Sequence, residues 1–212
     1  KERTDVFEVI DPDDRQPGWR NRTSLSLFDL RTRQLQPLTF GHRDVGLLEI
    51  ADDGFKILFS VGTRRLEKRP TSLMSLYVMD LHSLKADEIV KDDGFIASAV
   101  FSPDARQVLV CGSPECLDGI GENVKPGQTP SMFDYQLYTI QTATHKTTAL
   151  TREFNPSVKD YRWSRADGMV YFTAEHKDSV CLYRLNTKDL KINRINTPED
   201  LVEGFSLAAA SA

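Results

Sequence analysis

The sequence predicts an all-β chain, because a block with enough residues for four short strands recurs along it. Each block begins with an apolar stretch, an Asp/Gly turn and an apolar run, and it continues into an aliphatic-aromatic strand. A repeat of about 40–50 residues with four strands is typical of a β-propeller blade. The first half recurs at Leu47–Phe59, Ala99–Val110 and Tyr161–Phe172, and the second half at Leu25–Leu30, Leu76–Leu81, Leu137–Ile140 and Leu182–Leu185.

Two independent positions give the same first period. Leu25 to Leu76 is 51 residues, and so is Ile50 to Phe101. Later periods differ because the segments between the expected second and third strands differ in length. These segments are predicted to be loops from their composition, and Gly112–Tyr135 alone contains four Gly and three Pro. The predicted loops are Asp11–Thr23, Val61–Met74, Gly112–Tyr135 and Thr173–Val180.

The repeats divide the chain into about three complete four-stranded blades and two partial ones, a partial β-propeller. A closed propeller usually has about 4–8 blades, so the chain is expected to be a piece of a longer protein. An alternative is a complete chain that closes its ring by oligomerisation. Asp92–Phe95 repeats the turn Asp52–Phe55 out of step and is predicted to be a connector between blades. The predicted blades span residues 1–40 (partial), 45–90, 95–150, 158–195 and 201–212 (partial).

Composition narrows the function classes. The formal charge of −4 disfavours a nucleic-acid partner, and the short apolar runs predict no membrane span. Cys111 and Cys116 could form a local disulfide, but three buried, unpaired cysteines, including Cys181, are the favoured interpretation. No nucleophile elbow, zinc-protease motif or phosphate-binding loop occurs, so we expect no catalytic residue, metal or cofactor in these residues.

Two sets of apolar residues recur at fixed positions in the blades and are predicted to pack between blades. A fixed structural position favours a core role over ligand binding. The first set is Phe28, Tyr77, Tyr138 and Tyr183, and the second is Ile50, Phe101 and Trp163.

Candidate binding residues lie in the predicted loops, since the second-to-third loops and the fourth-to-first connectors of a propeller emerge on one face, where function concentrates. Val61–Met74 is rich in basic residues, with only Glu67 to offset them. It is either a solvated basic loop or a docking patch for an acidic surface or a substrate carboxylate. The candidate site residues are Arg64, Arg65, Lys68 and Arg69, with Trp19 and Arg20 in the first loop.

Two segments carry a resemblance to known proteins. Phe101–Val110, which reads Phe-Ser-Pro-Asp-Ala-Arg-Gln-Val-Leu-Val, resembles the strand-turn-strand motif of TolB-like propellers and of the N-terminal propellers of the prolyl oligopeptidase family of serine peptidases. The Leu-Tyr-x-x-Asp-Leu strand Leu76–Leu81 is equally typical of both. The long, unequal loops are most similar to the dipeptidyl peptidase IV-like and acylaminoacyl-peptidase-like branches.

The resemblance implies a parent serine peptidase whose triad lies in a separate α/β-hydrolase domain. The propeller would then gate access and position short peptides. The dipeptidyl peptidase branch uses a Glu-Glu pair, which this sequence lacks, so either the pair lies elsewhere in the parent or the parent is not a strict dipeptidyl peptidase. Family habit suggests a periplasmic or secreted protein, with the cytoplasm as alternative, and a homodimer is an option. The rival interpretation is a TolB-like scaffold for protein–protein binding.

Overall fold

The computed structural model describes residues 21–65 and 67–208. Within them the chain forms three four-stranded antiparallel sheets and one two-stranded sheet, each built from strands consecutive in sequence. This confirms the predicted partial β-propeller. The strands are β1 Ser26–Phe28, β2 Leu35–Pro37, β3 Asp44–Ile50, β4 Lys56–Arg64, β5 Ser72–Asp80, β6 Lys85–Asp93, β7 Ile96–Phe101, β8 Gln107–Gly112, β9 Gln136–Gln141, β10 Thr147–Ala149, β11 Ser157–Trp163, β12 Val170–His176, β13 Ser179–Leu185 and β14 Ile192–Ile195, with one helical turn, α1, at Cys116–Gly119.

The chain divides into two compact units, and the boundary in the sequence lies between Gly94 and Phe95. The first unit contains the β1–β2 hairpin and the β3–β6 sheet, and the second contains the β7–β10 and β11–β14 sheets. Asp92 and Asp93 end β6 and Ile96 begins β7, so the repeated Asp-Asp-Gly-Phe stretch is a connector, as predicted.

The Asp of the Asp/Gly turn shapes each first hairpin. The carboxylates of Asp53, Asp104 and Asp167 each accept a hydrogen bond from the backbone N–H two residues later, at 2.8–3.1 Å. The residue between donor and acceptor has a left-handed φ in all three copies: Gly54 (74°), Ala105 (50°) and Gly168 (70°). An Asp followed by a residue that accepts a positive φ therefore recurs because the turn requires both.

The hairpins between third and fourth strands follow a second rule. Asp29 and Asp80, the Asp of a shared Leu-x-x-x-Asp-Leu pattern, accept hydrogen bonds from the N–H groups two and three residues later. These bonds lower the pKa of both carboxyl groups. Arg33 and Leu84, four residues after each Asp, again take a left-handed φ. The repeated Asp is thus a turn residue rather than a ligand.

The main core fills the space between the two sheets of the second unit. Leu109, Cys111 and Leu137 of the β7–β10 sheet pack with Phe172 and other residues of the β11–β14 sheet. Tyr161 Oη and Ser98 Oγ, one from each sheet, are 2.8 Å apart and hydrogen-bonded. The smaller core of the first unit consists of Val45, Ile57, Phe59, Val61 and Met79, with Leu25 and Leu38 of the first blade packed against it.

The recurrent apolar positions are only partly core. Phe101, Tyr138 and Tyr183 are buried, whereas Tyr77 and Trp163 are half-buried. The prediction is wrong for Phe28 and Ile50, which are 52% and 54% exposed. Phe28 lies in a sheet of two strands, and Ile50 ends an edge strand beside an exposed turn.

Two predicted loops are shorter than their composition indicates. β4 continues to Arg64 and β5 begins at Ser72, so only residues 65–71 of the predicted loop Val61–Met74 lie outside strands. Likewise, β12 and β13 leave only residues 177 and 178 of Thr173–Val180. In both hairpins the ladder hydrogen bonds continue past the buried part of the sheet, where polar side chains are tolerated.

Two expected elements near the ends of the chain are not among the strands that the structure describes. The expected second strand of the first blade, near Val6–Ile10, falls outside the described residues. Leu201 forms a single parallel bridge with Val180 rather than a strand, so the partial blade over 201–212 stays a prediction. No helix among residues 21–65 and 67–208 is long and apolar enough to cross a bilayer.

All three cysteines are buried and none forms a disulfide, which confirms the favoured interpretation. Burial raises the pKa of the Cys111 thiol to about 12. At neutral pH this thiol is therefore protonated and packs as a small apolar side chain.

Replacement of Phe172 by Ala tests the core of the second unit. Phe172 is fully buried between a stacked Tyr183 and an edge-on Phe154, so its removal leaves a cavity. We expect a loss of about 3–5 kcal/mol in the free energy of unfolding, measured by urea denaturation with circular dichroism. Trp163→Ala is the control, because Trp163 is half-buried and should cost clearly less; an equal cost would contradict this description of the core.

Candidate functional site

At the end of each blade where its second strand leads into its third, the chain contacts the segment that leaves the blade. In the first blade, Thr23 Oγ1 and N donate to Asp44 Oδ1 at 2.6 and 3.0 Å. In the second, Gly94 lies so close to Pro70 that a Cβ on Gly94 would stand 2.0 Å from Pro70 Cγ. In the fourth, Val180 exchanges backbone hydrogen bonds with residues 200 and 202. These contacts attach that end of each of the three blades to the segment that follows it.

The predicted basic residues gather at the tip of the β4–β5 hairpin. Arg64 ends β4, and Arg65, Lys68 and Arg69 belong to the seven-residue loop. Arg64, Lys68 and Arg69 are exposed, and Arg65 is half-buried. Trp19 and Arg20 fall outside the described residues.

Arg65 differs from its basic neighbours because it holds the loop together. Its Nε and Nη2 donate to the Pro70 carbonyl at 3.2 and 2.9 Å, and Nε also reaches the Lys68 carbonyl at 3.2 Å. The backbone N–H of Arg65 donates to Thr71 O at 2.7 Å. The guanidinium is thus an internal brace, and the exposed charge of the tip comes from the other three residues.

The positive charge of Arg64, at the hairpin tip, affects the carboxyl group of Asp44. The pKa of Asp44 is lowered mainly by the hydrogen bonds from Thr23 and further by the positive charges of Arg22 and Arg64. Asp44 therefore stays ionised and offsets part of the charge of Arg64.

A cleft of about 120 Å³ lies in the second unit, between the β8–β9 loop and the β10–β11 connector. Arg152 Nε of the connector donates to Glu122 O of the loop at 2.9 Å. Asn123 Nδ2 of the loop donates to Glu153 Oε2 at 3.2 Å. These bonds join the two walls of the cleft. Its polar lining is Asn123, Ser131, Asp134, Gln136, Arg152, Glu153 and Asn155, with Pro114, Val124, Pro130 and Phe154 as apolar lining.

Asp134 is fixed in this cleft through its backbone. Ser157 Oγ, at the start of β11, donates to Phe133 O and accepts from Tyr135 N, both at 3.0 Å. The hydroxyl thus holds the peptide groups on both sides of Asp134. Partial burial raises the pKa of the Asp134 carboxyl.

Gln136, which lines the cleft, belongs to a buried hydrogen-bond network. The Tyr138 hydroxyl donates to the Ser113 carbonyl at 2.8 Å, and Gln136 Nε2 donates to Gly121 O at 3.2 Å. A Cβ at Gly121 would stand 2.1 Å from Tyr138 Oη. Only glycine therefore fits where the loop crosses this network.

The turn α1 departs from a right-handed helix. Leu117 and Asp118 have φ of 54° and 62°, and Gly119 follows with 76°. Successive left-handed residues cost about 1–2 kcal/mol each for L-amino acids other than glycine. Cys116 and Leu117 are buried, so their packing offsets that cost.

Reasoning from the sequence singled out the β8–β9 loop but not the residues that form its cleft. Asp134 carries a weak signal, since it lies between Phe133 and Tyr135 immediately before a strongly apolar strand. Arg152 and Glu153 come from a separate segment, and only the fold brings them to the loop. Within residues 21–65 and 67–208, no group of three or more His, Cys, Asp or Glu side chains could hold a metal ion.

Comparison with known proteins establishes the fold. No protein-family model matches the chain. No curated protein matches it in sequence. Among solved structures, it is similar to the β-propeller domain of the Trilobed protease from Pyrococcus furiosus, with 20% identity over 85% of this chain and 50% of that one and a TM-score of 0.58.

Two further solved structures show the same arrangement. TolB from Acinetobacter baumannii is 18% identical over 84% of this chain and 38% of its own, with a TM-score of 0.54. An acylaminoacyl peptidase from Pyrococcus horikoshii is 16% identical over 81% of this chain and 27% of its own, with a TM-score of 0.52. The chain thus spans half or less of each solved chain. Because these proteins differ in activity, the likeness shows the propeller fold alone.

Asp134→Asn tests the electrostatic description of the cleft. Burial raises the carboxyl pKa, so the folded state disfavours the ionised form and loses stability as pH rises through that pKa. We expect the neutral Asn to raise the melting temperature at pH 7, and the difference to vanish near pH 3, where both states of the wild type are protonated. Thermal unfolding at both pH values measures this; a lower melting temperature at pH 7 would show that the carboxylate is stabilised in the fold.

Proposed function

We propose that the chain is a non-catalytic propeller segment of a serine peptidase, which gates access and positions short peptides for a separate α/β-hydrolase domain. The observation that carries this proposal is the attachment of the β4–β5 and β8–β9 loops to the connectors that leave the same blades. A surface that positions a substrate needs side chains held in place, and these loops meet that need. The likeness to two peptidase propellers supports the choice of enzyme class.

The exposed cations of the β4–β5 hairpin are the proposed contact for a peptide carboxylate or for an acidic face of the hydrolase domain. Arg64, Lys68 and Arg69 present their charges to solvent, while Arg65 keeps the loop in shape. Exposed cations attract acidic partners over about a Debye length, which favours capture at low ionic strength.

A second candidate function is a TolB-like scaffold for protein–protein binding. It is favoured by the likeness to TolB and by exposed apolar residues on the β8–β9 loop, Met132 and Phe133. In that case the same loops would dock a protein partner rather than a peptide substrate.

Labelling with a fluorophosphonate probe distinguishes the peptidase proposal from the scaffold proposal. We expect the full-length protein that carries this sequence to be labelled and the 212-residue chain alone to remain unlabelled. Labelled bands are read by in-gel fluorescence, with heat-denatured protein as control. A folded full-length protein that takes up no probe would reject the peptidase proposal and favour the scaffold.

Charge removal at the hairpin tip tests its role. In the full-length enzyme, the double change Arg64→Ala and Lys68→Ala should raise the apparent KM for acidic peptides about threefold to tenfold and leave kcat unchanged, because two exposed charge contacts are lost. Steady-state kinetics at low ionic strength measures this. The matched control is the double change Arg33→Ala and Lys85→Ala, which removes the same charge from the first unit. Arg33 lies in the β1–β2 turn and Lys85 at the start of β6, away from the β4–β5 loop. Equal effects of the two pairs would indicate a general charge effect and count against a contact at the tip.

A further inference from the structure

The cleft of the second unit contains a carboxylate that the described part of the protein leaves without a partner. Within residues 21–65 and 67–208, the Asp134 carboxylate accepts no hydrogen bond and forms no ion pair, although it is half-buried. Partial burial removes some of the water around a carboxylate, so a hydrogen-bond donor from a ligand would stabilise its ionised form. The backbone around Asp134 is nonetheless held by two hydrogen bonds to Ser157. A fixed carboxylate without a partner indicates a site that a ligand completes.

The charges of the lining favour a cation. Asp134 and Glu153 are acidic and Arg152 is basic, so the ionisable groups of the cleft sum to −1. Arg152 already donates to the Glu122 carbonyl through Nε, and Glu153 already accepts from Asn123. Asp134 therefore keeps its acceptor capacity for an incoming N–H group.

The size of the cleft limits the ligand to one group. Its volume is about 120 Å³, somewhat below the about 150 Å³ of an engineered cavity that takes one benzene molecule. That space fits the end of one side chain rather than a length of peptide backbone. An ammonium or guanidinium group with its last methylenes has the right size.

The β8–β9 loop, which forms one wall of the cleft, also carries an apolar rim of three exposed side chains, of which Val124 lines the cleft itself. Phe133, directly before Asp134, is 72% exposed, and Met132 and Val124 are 55% and 42% exposed. Neighbouring exposed apolar side chains of this kind mark binding surfaces more often than plain solvated loops. The ligand therefore carries an apolar group next to its cation.

We propose that this cleft binds the cationic side chain of an Arg or Lys residue in a peptide, with Asp134 as the acceptor and Phe133 as the contact for an apolar neighbouring residue. The inference rests on the proposed function only in taking a peptide as the ligand. It assigns a preference for basic residues to the β8–β9 loop, separately from the basic hairpin of the first unit.

Calorimetric titration of the 212-residue chain with blocked dipeptide amides tests the proposal at low ionic strength. We expect acetyl-Phe-Arg-amide to bind at least tenfold more tightly than acetyl-Phe-Gln-amide, and Asp134→Asn to remove that preference. The matched control is Asp178→Asn, which removes the same charge from the exposed β12–β13 turn and should leave binding unchanged. Circular dichroism of both variants establishes that each is folded.

Two further measurements complete the test. Phe133→Ala should weaken acetyl-Phe-Arg-amide but not acetyl-Gly-Arg-amide, because only the former has an apolar side chain for the rim. No preference for Arg over Gln, or equal losses in the Asp134 and Asp178 variants, would overturn the proposal. Preferential binding of Phe-Gln-amide with a free amino terminus would also overturn it, since the cation would then be the peptide terminus. None of these titrations needs a hydrolase domain, so a negative fluorophosphonate result and a negative titration are separate failures.

Discussion

The second unit depends on an aromatic contact between its β11–β14 sheet and the connector that joins this sheet to the β7–β10 sheet. Phe172 of β12 stacks on Tyr183 of β13 with ring centroids 5.4 Å apart, and Phe154 meets both rings edge-on at 5.4 and 4.9 Å. Edge-on and offset contacts are the favourable geometries for aromatic rings. Phe154 also lines the candidate cleft, so the packing that closes the core fixes one wall of the site.

This arrangement explains how a polar cleft can lie beside an apolar core. The connector contributes Phe154 to the core side, and the adjacent Arg152 and Glu153 to the β8–β9 loop. Tyr138, fully buried in β9, donates to a loop carbonyl from the other direction. The loop is therefore attached to both the connector and the sheet, and the backbone on both sides of Asp134 is held by Ser157.

The parts of the fold that follow local rules were predictable from the sequence, and those that depend on remote neighbours were not. Strand order and the Asp turns follow from short patterns, because the hydrogen bonds of Asp53 and Asp80 close within three residues. The exposure of Phe28 and Ile50 depends on what covers a sheet edge, which no local pattern records. The composition of the β4–β5 hairpin end predicts a longer loop than the structure has. The β ladder continues to Arg64 and Ser72, through residues whose composition is typical of a loop. The cleft is formed by two segments that come together only in the fold. The sequence therefore indicates the β8–β9 loop, but it does not indicate that Asp134 lies beside Arg152 and Glu153.

The turn after the first strand of the third blade bears on how such blades are identified in other sequences. Ala105 takes the left-handed conformation that Gly54 and Gly168 take in the neighbouring copies, while Asp104 keeps the hydrogen bond of Asp53 and Asp167. Ala105 is also buried, so its methyl group contributes packing that glycine would not. The Asp, and not the glycine, is therefore the residue that all three copies of this turn share. A search pattern that required glycine would miss the third blade and divide a continuous array into two fragments.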